Sequence, residues 1–481
     1  MGITRLECGR ASRQEDLEKA YGWAVRNLLQ TNTVPYDAAV YDRTGLMADP
    51  PGTIFRAGGG YGQPWTRDAS VNAWNAGSLL APHAARNTLW SVVERRLDGS
   101  LIVQQDNQWW DQAIWAIGAL SHYAVTGDRV FLNDAYQTVC NTLAHLRHTR
   151  FSADDGLFQG PAVMQDGISG YPSPPCQLDN LSSFVLDHPG TEQIMCLSTN
   201  CLYAGAYTAA ANMAHFLGRP RSESGAHYAA ARAVARAVNA RLWIPEQNRY
   251  GYFLHGSGPL RGQLDTHEES CGAAFAVLFR VADHQRMALL LASHHRQPCG
   301  TVNVWPHFGR FSDTRPGRHE VMVWPMVQGM WAHAAAVGGR TDLLGQEMVS
   351  LARLARASGG FFEVYNSVSG REDGGWQAGV HRMSEPDQTW SATGYLRMVH
   401  HGLFGMRFAP NRLEFAPALP GRWGSVRLTG LRYRGTTLTV TLTGEGNRVQ
   451  STHLDGHSLP GPTIPADLTG HHSLTIELGP V

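Results

Sequence analysis

The sequence predicts a mainly α fold, in which helical hairpins close into a ring and a small β unit follows. Three observations predict it. Segments with apolar residues at helical spacing recur between residues 14 and 402, in couples split by short turns such as LGRPR (217–221) and VGGRT (337–341). Within each couple one helix is rich in Ala, Gly and aromatics all round, which suits burial on both sides, and its partner carries more Arg, Glu and Asp, which suits an outer ring. After Gly405 the pattern turns to short alternating runs punctuated by Gly, Pro and Asn. The expected architecture is an (α/α)6 toroid over residues 1–404 with a small C-terminal antiparallel β-sandwich cap over 405–481.

In chain order the expected helices are 14–30 (QEDLEKAYGWAVRNLLQ), 69–80 (ASVNAWNAGSLL) and, after Pro82, 83–96. Helices 111–125 and 130–148 are parted at Gly127-Asp128. An irregular stretch, 151–196, holds Gly156, Gly160, Gly167, Gly170 and the turn YPSPP. Helices 198–217 and 221–242 follow, then the hairpin-like YGYFLHGSG, then 269–281, 283–293, 320–337, 341–357 and 388–402. The β runs are RLEFAP, SVRLTGLRYRGTTLTVTLTG and SLTIEL. Because this segment abuts the last inner helix, it reads as a structural cap.

Composition narrows the function classes. Of 481 residues 43% are hydrophobic and 17% charged, enough for a large core. Lys+Arg and Asp+Glu are both 40, so nothing favours nucleic acid or an anionic membrane surface as a partner. The seven cysteines include no CxxC pair, which speaks against a disulfide framework or structural zinc. His319, His333, His400 and His401 show no HExxH or other ligand spacing, so no metal is expected. Neither GxxxxGK[ST] nor GxGxxG after a strand is present, so no nucleotide cofactor is expected. The N-terminal stretch lacks an apolar signal region, and no run of about 18 apolar residues exists. These point to a cytoplasmic chain without a membrane span, or to a periplasmic or secreted one if an export signal was trimmed. Monomer and homodimer both stay open.

The unusual residues gather in loops before the inner helices. In 359–404, Glu363 stands between Phe361, Phe362 and Tyr365 in a Gly-rich loop, and Pro386 marks the turn into a helix opened by Gln388 and Trp390. Aromatic faces stack on pyranose rings, and a carboxylate among them can act as a base or orient a hydroxyl. A solvated surface Glu is the plainer alternative. Trp65, Arg67 and Asp68 follow three glycines and suit a clamp on neighbouring sugar hydroxyls, with helix capping as the bland role. Trp109, Trp110 and Asp111 suit a second sugar platform, or core aromatics. Asp166 sits among Gly160, Gly167 and Gly170 near Tyr171, where desolvation would make it a usable acid, although an Asx-turn fits equally. Glu268 and Glu269 open another helix, where dipole pairing is the default. Trp324 stands next to last in the loop RPGRHEVMVWP, and with Tyr365 it completes the expected substrate-binding set.

These stretches resemble the six-hairpin (α/α)6 inverting glycosidases, glycoside hydrolase family 63 above all, with families 37 and 15. WTRDA is similar to their Trp-x-Arg-Asp stretch, which holds the sugar in subsite −1. FFEVYNSVSG is similar to the family 63 Glu-x-Tyr-Asn-x-x-(Thr/Ser)-Gly stretch, which places the general base on Glu363. The QWSA signature stands here as Gln388-Thr389-Trp390-Ser391-Ala392, with Thr389 inserted. The family's general-acid Asp is followed by Asn-Ser, whereas the match here is Gln165-Asp166-Gly167-Ile168-Ser169. The stretch GLFGMRFAPNRLEFAPALPGRW is similar to the β-cap of glycosidases and disaccharide phosphorylases of this clan. The resemblance implies an inverting exo-acting hydrolase of α-glycosides, foremost an α-glucosidase, with Asp166 as acid, Glu363 as base, a carbohydrate substrate and no cofactor. The alternatives are an α-mannosidase, α-L-rhamnosidase or disaccharide phosphorylase of this fold, a toroidal polysaccharide lyase, or a non-catalytic sugar-binding protein.

Overall fold

The computed structural model describes residues 4–9, 14–48, 52–104 and 108–480. Residues 105–107 of the loop QQDNQWWDQ, and 1–3 and 10–13 of the N-terminal stretch, lie outside them.

The helices are α1 (Gln14–Arg26), α2 (Thr66–Asn72, prolonged through a π turn to Leu80), α3 (Pro82–Ser91), α4 (Ile114–Thr126), α5 (Arg129–Arg150) and α6 (Leu197–Phe216). They continue as α7 (Arg221–Arg241), α8 (Ser270–Leu278), α9 (His284–Ser293), α10 (Pro325–Val337), α11 (Thr341–Ser358) and α12 (Thr389–Arg397). Local chemistry sets many of their ends. Asp128 caps α5 by accepting from the Phe131 N–H at 2.9 Å, and Asp283 caps α9 through the Arg286 N–H at 2.8 Å. Pro stands at the first position of α3 and α10, where its missing N–H costs nothing. Gly127 ends α4 in the left-handed conformation at φ 76°.

The buried helices are α2, α4, α6, α8, α10 and α12, and each packs on the next, with α12 packed also on α2. α1 lies against α11 and α12. Every residue of the first two turns of α2 is buried, whereas α7 buries only Ala231, Val234 and Val238. The inner and outer characters read from composition are thus the packing itself.

Several boundaries differ from the sequence reading, three of them because of local strand or turn formation. The helix expected over 83–96 stops at Ser91, because Val93–Arg95 pairs with Leu101–Val103 and buries the β-branched Val93. The one expected from 320 starts at Pro325, because Met322–Val323 pairs with Tyr365–Asn366. The one expected from 111 starts at Ile114, after a 3₁₀ turn over Trp109–Asp111.

The strand region holds a six-stranded and a three-stranded sheet. The strands are β1 (Arg5–Cys8), β2 (Met406–Ala409), β3 (Arg412–Phe415), β4 (Ser425–Tyr433), β5 (Thr436–Gly444), β6 (Arg448–Leu454), β7 (His457–Ser458), β8 (Thr463–Pro465) and β9 (Gly470–Gly479). The larger sheet runs β1-β4-β5-β9-β6-β7 and the smaller β2-β3-β8. The expectation of purely antiparallel pairing is corrected at one place: β9 lies parallel to β5, because the chain crosses over after β6 and returns alongside it. The sheet also takes a strand from the far end of the chain, since β1 pairs with β4 and buries Leu6. One apolar core joins both parts, from Tyr395 and Met398 to Val426, Leu438 and Ile476. Among the described residues no helix is long and apolar enough to cross a membrane.

Candidate active site

Three backbone segments meet where α2, α10 and α12 begin. The Thr389 N–H donates to the Ala57 carbonyl at 2.9 Å, the Gln388 N–H to that of Phe361 at 3.0 Å, and the Glu363 N–H to that of Glu385 at 2.8 Å. Gly58, at φ 106°, lies so close to the backbone of Asp387–Thr389 that any Cβ would overlap it. Tyr365 braces the Glu363 loop from behind: its hydroxyl accepts from the Phe362 N–H at 2.9 Å and donates to the Gly360 carbonyl at 3.1 Å. Tyr171 does the same for the Asp166 loop, accepting from the Ala162 N–H at 3.0 Å and donating to the Gln165 carbonyl at 2.7 Å.

These loops enclose a cavity of about 480 Å³. Asp166 and Glu363 both line it, between Trp65, Trp324 and Trp390. Arg67, Asp68 and Gln388 line it too. Each of the two carboxylates has its own guanidinium. Arg318 donates to Glu363 at 2.5 Å, and Arg67 donates to Asp166 at 3.1 Å. Gln108 donates to the same Asp166 oxygen at 2.9 Å and also bonds Arg67. The Asp166 side chain is 27% exposed and that of Glu363 7%, so Asp166 is the more open to an incoming group.

The charges pull the acids apart. Burial pushes the Asp166 carboxyl up, but Arg67, Arg318 and the Gln108 hydrogen bond outweigh it and hold Asp166 below the usual carboxylate range. Burial pushes Glu363 up, and Arg318 offsets this only in part. Burial also lifts Asp68 to about 7, against the pull of Arg67. Its Oδ1 is buried and has no hydrogen-bond partner among the described residues, so it can receive a ligand hydroxyl. His319 is buried beside Asp166 and is driven down to about 3, so it is neutral.

Seven residues expected to touch substrate do not line this cavity. Trp110 is wholly buried, and Trp109 packs in the core with the Arg150 guanidinium over its ring. These two are core aromatics because the 3₁₀ turn points both indoles inward. Asp111 lies behind Arg67, 3.5 Å from it. Tyr171 and Tyr365 are the loop braces described above. Glu268 is buried against the His294 ring and in an ion pair, at 3.4 Å, with Arg249. Glu269 turns toward α6 and accepts from the Ser198 N–H at 2.9 Å. Short strand pairing with Val304–Trp305 draws both acids away from the cavity.

Sequence reasoning missed Arg318, His319, Gln108, Tyr61, Gln377 and Glu385, all of which line the cavity. Arg318 and His319 stand in the RPGRHEVMVWP loop and Gln108 in QQDNQWWDQ, so the loops were marked while the inward side chains were not. Among the described residues no cluster of three His, Cys, Asp or Glu could hold a metal ion.

Residues 95–391 match the family model of the mannosylglycerate hydrolase MGH1-like glycoside hydrolase domain. The chain belongs to this glycoside hydrolase family. Residues 406–460 of this MGH1-like hydrolase match the C-terminal domain of glycosyl hydrolase family 65. No curated protein matches the sequence. Among solved structures it is similar to a sialidase (TM-score 0.68, 16% identity, covering 95% of this chain and 40% of that one). It is similar to the GH78 rhamnosidase of Bacillus sp. GL1 (0.58, 15%, 99% and 44%). It is also similar to the GH63 mannosylglycerate hydrolase of Thermus thermophilus (0.56, 16%, 75% and 98%). The chain thus spans about two-fifths of the length of the first two. At these identities the shared property is the fold, a helical barrel with a C-terminal strand region.

Proposed function

We propose that this MGH1-like chain is an exo-acting glycoside hydrolase that cleaves an α-glycosidic bond with inversion, foremost an α-glucosidase acting on a small oligosaccharide or glucoside. The observation that carries the reading is the pair Asp166 and Glu363 on one cavity, each with its own arginine, between three tryptophans. Asp166, the more open of the two, protonates the leaving oxygen. Glu363 takes a proton from water on the opposite face of the ring. An inverting pair stands roughly 6.5–9.5 Å apart to admit that water. Asp68 and Arg67 clamp the sugar hydroxyls in subsite −1.

In the open cavity the proton prefers Glu363 to Asp166, the reverse of what the reaction needs, so the reactive form is a minority of the free enzyme. A bound sugar changes this balance. It strips water from Asp166 and engages Arg67, and both effects push the Asp166 carboxyl up.

The closed series of contacts among the six inner helices supports reading the barrel as an (α/α)6 toroid. The switch to strands after Gly405 supports 405–481 as a separate cap.

Two observations favour a second reading, a glycoside with an acidic aglycone such as glycerate. The family model and the Thermus structure are named for mannosylglycerate hydrolase, and Arg382 lines the cavity with its guanidinium making no hydrogen bond or ion pair among the described residues. The test is a panel of α-glucosides, α-mannosides, α-rhamnosides and glycerate glycosides, with the product anomer followed by NMR. Release of the β-anomer from an α-glucoside is expected. Release of the α-anomer would rule out the inverting scheme, and turnover confined to glycerate glycosides would select the second reading.

A further inference from the structure

Asp111 does not reach the cavity, yet two of its contacts converge on Asp166. It is buried at 1% exposure in the turn before α4. Its Oδ2 lies 3.5 Å from Nη1 of Arg67, whose Nη2 lies 3.1 Å from Asp166. Its Oδ1 accepts from the Met164 N–H at 3.0 Å. Met164, two residues before Asp166, holds a φ of 65°, a left-handed conformation that costs energy for a residue with a Cβ and persists only where neighbours impose it.

We propose that Asp111 is a positioning residue for Asp166: it shares the charge of Arg67 with that carboxylate and pins the strained loop that carries it. The proposal rests on the reading of Asp166 as the proton donor. A lone arginine in a pocket with little solvent would bind Asp166 as a full ion pair and hold it ionised. With Asp111 also on Arg67, two carboxylates share one cation. Sharing weakens the hold of Arg67 on each carboxylate, so a proton on Asp166 costs less than it would beside an unshared arginine. Among the described residues the other groups facing Asp166 are Gln108, His319 and Arg318, while Glu363, Asp68, Tyr61, Arg382 and Glu385 share the cavity. Among the described residues Asp111 faces Arg67 and, from α8, the Cys271 thiol.

The test is Asp111→Asn, which keeps an oxygen for the Met164 N–H and removes the charge. Arg67 is then no longer shared with Asp111 and acts more strongly on Asp166. The limb of the kcat/KM profile set by Asp166 is expected to move down by about one pH unit. Hydrolysis of a disaccharide should fall about tenfold or more, and that of an activated aryl glycoside or glycosyl fluoride less. An unmoved profile in a folded variant overturns the proposal. Should the Asn variant not fold, Asp111→Glu reaches nearer to Arg67, and the same limb should move up. An unmoved limb there, or failure of both variants to fold, makes Asp111 a folding residue and also overturns the proposal. Asp166→Asn on the same two substrates separates the inference from the reading beneath it. Equal losses on both substrates would show that Asp166 is not the acid, whatever Asp111 does.

Discussion

Glu363 and Asp166 differ in what surrounds them more than in what they are. Glu363 is the more buried, pressed against Arg318 and lifted; Asp166 is held down by Arg67 and its neighbours. Replacing Glu363 by Gln should slow hydrolysis of every substrate by about 10²–10⁴-fold. Its residual kcat/KM should also fall with rising pH through the low range set by Asp166, because only the acid is then left to titrate. A residual profile that falls only above neutral pH would mean that Asp166 is not held down in the free enzyme. Asp68 gives a second expectation. Asp68→Asn keeps the shape but weakens acceptance of a sugar hydroxyl, so kcat/KM should drop about tenfold or more while the melting temperature holds or rises. A loss of melting temperature with unchanged kinetics would make Asp68 a structural residue. At this scale the acids beside aromatics and glycines marked the loops that line the cavity, and the choice of Glu363, Asp166 and the Trp-x-Arg-Asp stretch within them came from the family resemblance. Arg318 and His319 were not, because which side chain of a loop turns inward depends on the β pairing of Met322–Val323.

An acidic pair at a helix start ordinarily faces solvent and the helix dipole. Glu268 and Glu269 do neither, and the reason is an element-level constraint. Both are buried, and Glu269 ties the start of α8 to the start of α6 through the Ser198 N–H. Burial lifts its carboxyl from the ordinary 4.5 to about 8, so the folded state holds the proton more tightly than the unfolded one. Its contribution to stability is therefore fully present below about 4.5 and is lost as pH rises toward 8. Glu269→Gln keeps the acceptor and cannot ionise. The variant should gain melting temperature relative to wild type as pH goes from 5 to 8, by an amount worth on the order of a few kcal/mol. Parallel melting curves of the two proteins against pH would show that Glu269 is not protonated in the fold.

The whole molecule is joined across the boundary that the sequence marks most clearly. Arg434, just after β4, donates to the Val125 carbonyl at 3.0 Å and the Ala124 carbonyl at 3.2 Å, the open end of α4. The shared core and the β1–β4 pairing add to this joint. Arg434→Ala should lower the melting temperature by an amount worth about 1–3 kcal/mol and leave a single transition. Two separate transitions in calorimetry would instead mark the strand region as independently stable.

By itself the sequence determined the helix couples, their inner and outer faces, the strand region and the loops that hold the site, because periodicity, Gly and Pro placement and burial preference are local properties of the chain. Only the tertiary structure decided which loop residues meet. It sent Trp109, Trp110, Glu268 and Glu269 into the core and set Asp111 behind Arg67. It also brought Arg318 to Glu363 and returned β9 parallel to β5. Those outcomes rest on contacts between segments far apart in the chain, where packing and the pairing of buried charge choose among side chains that look alike in sequence.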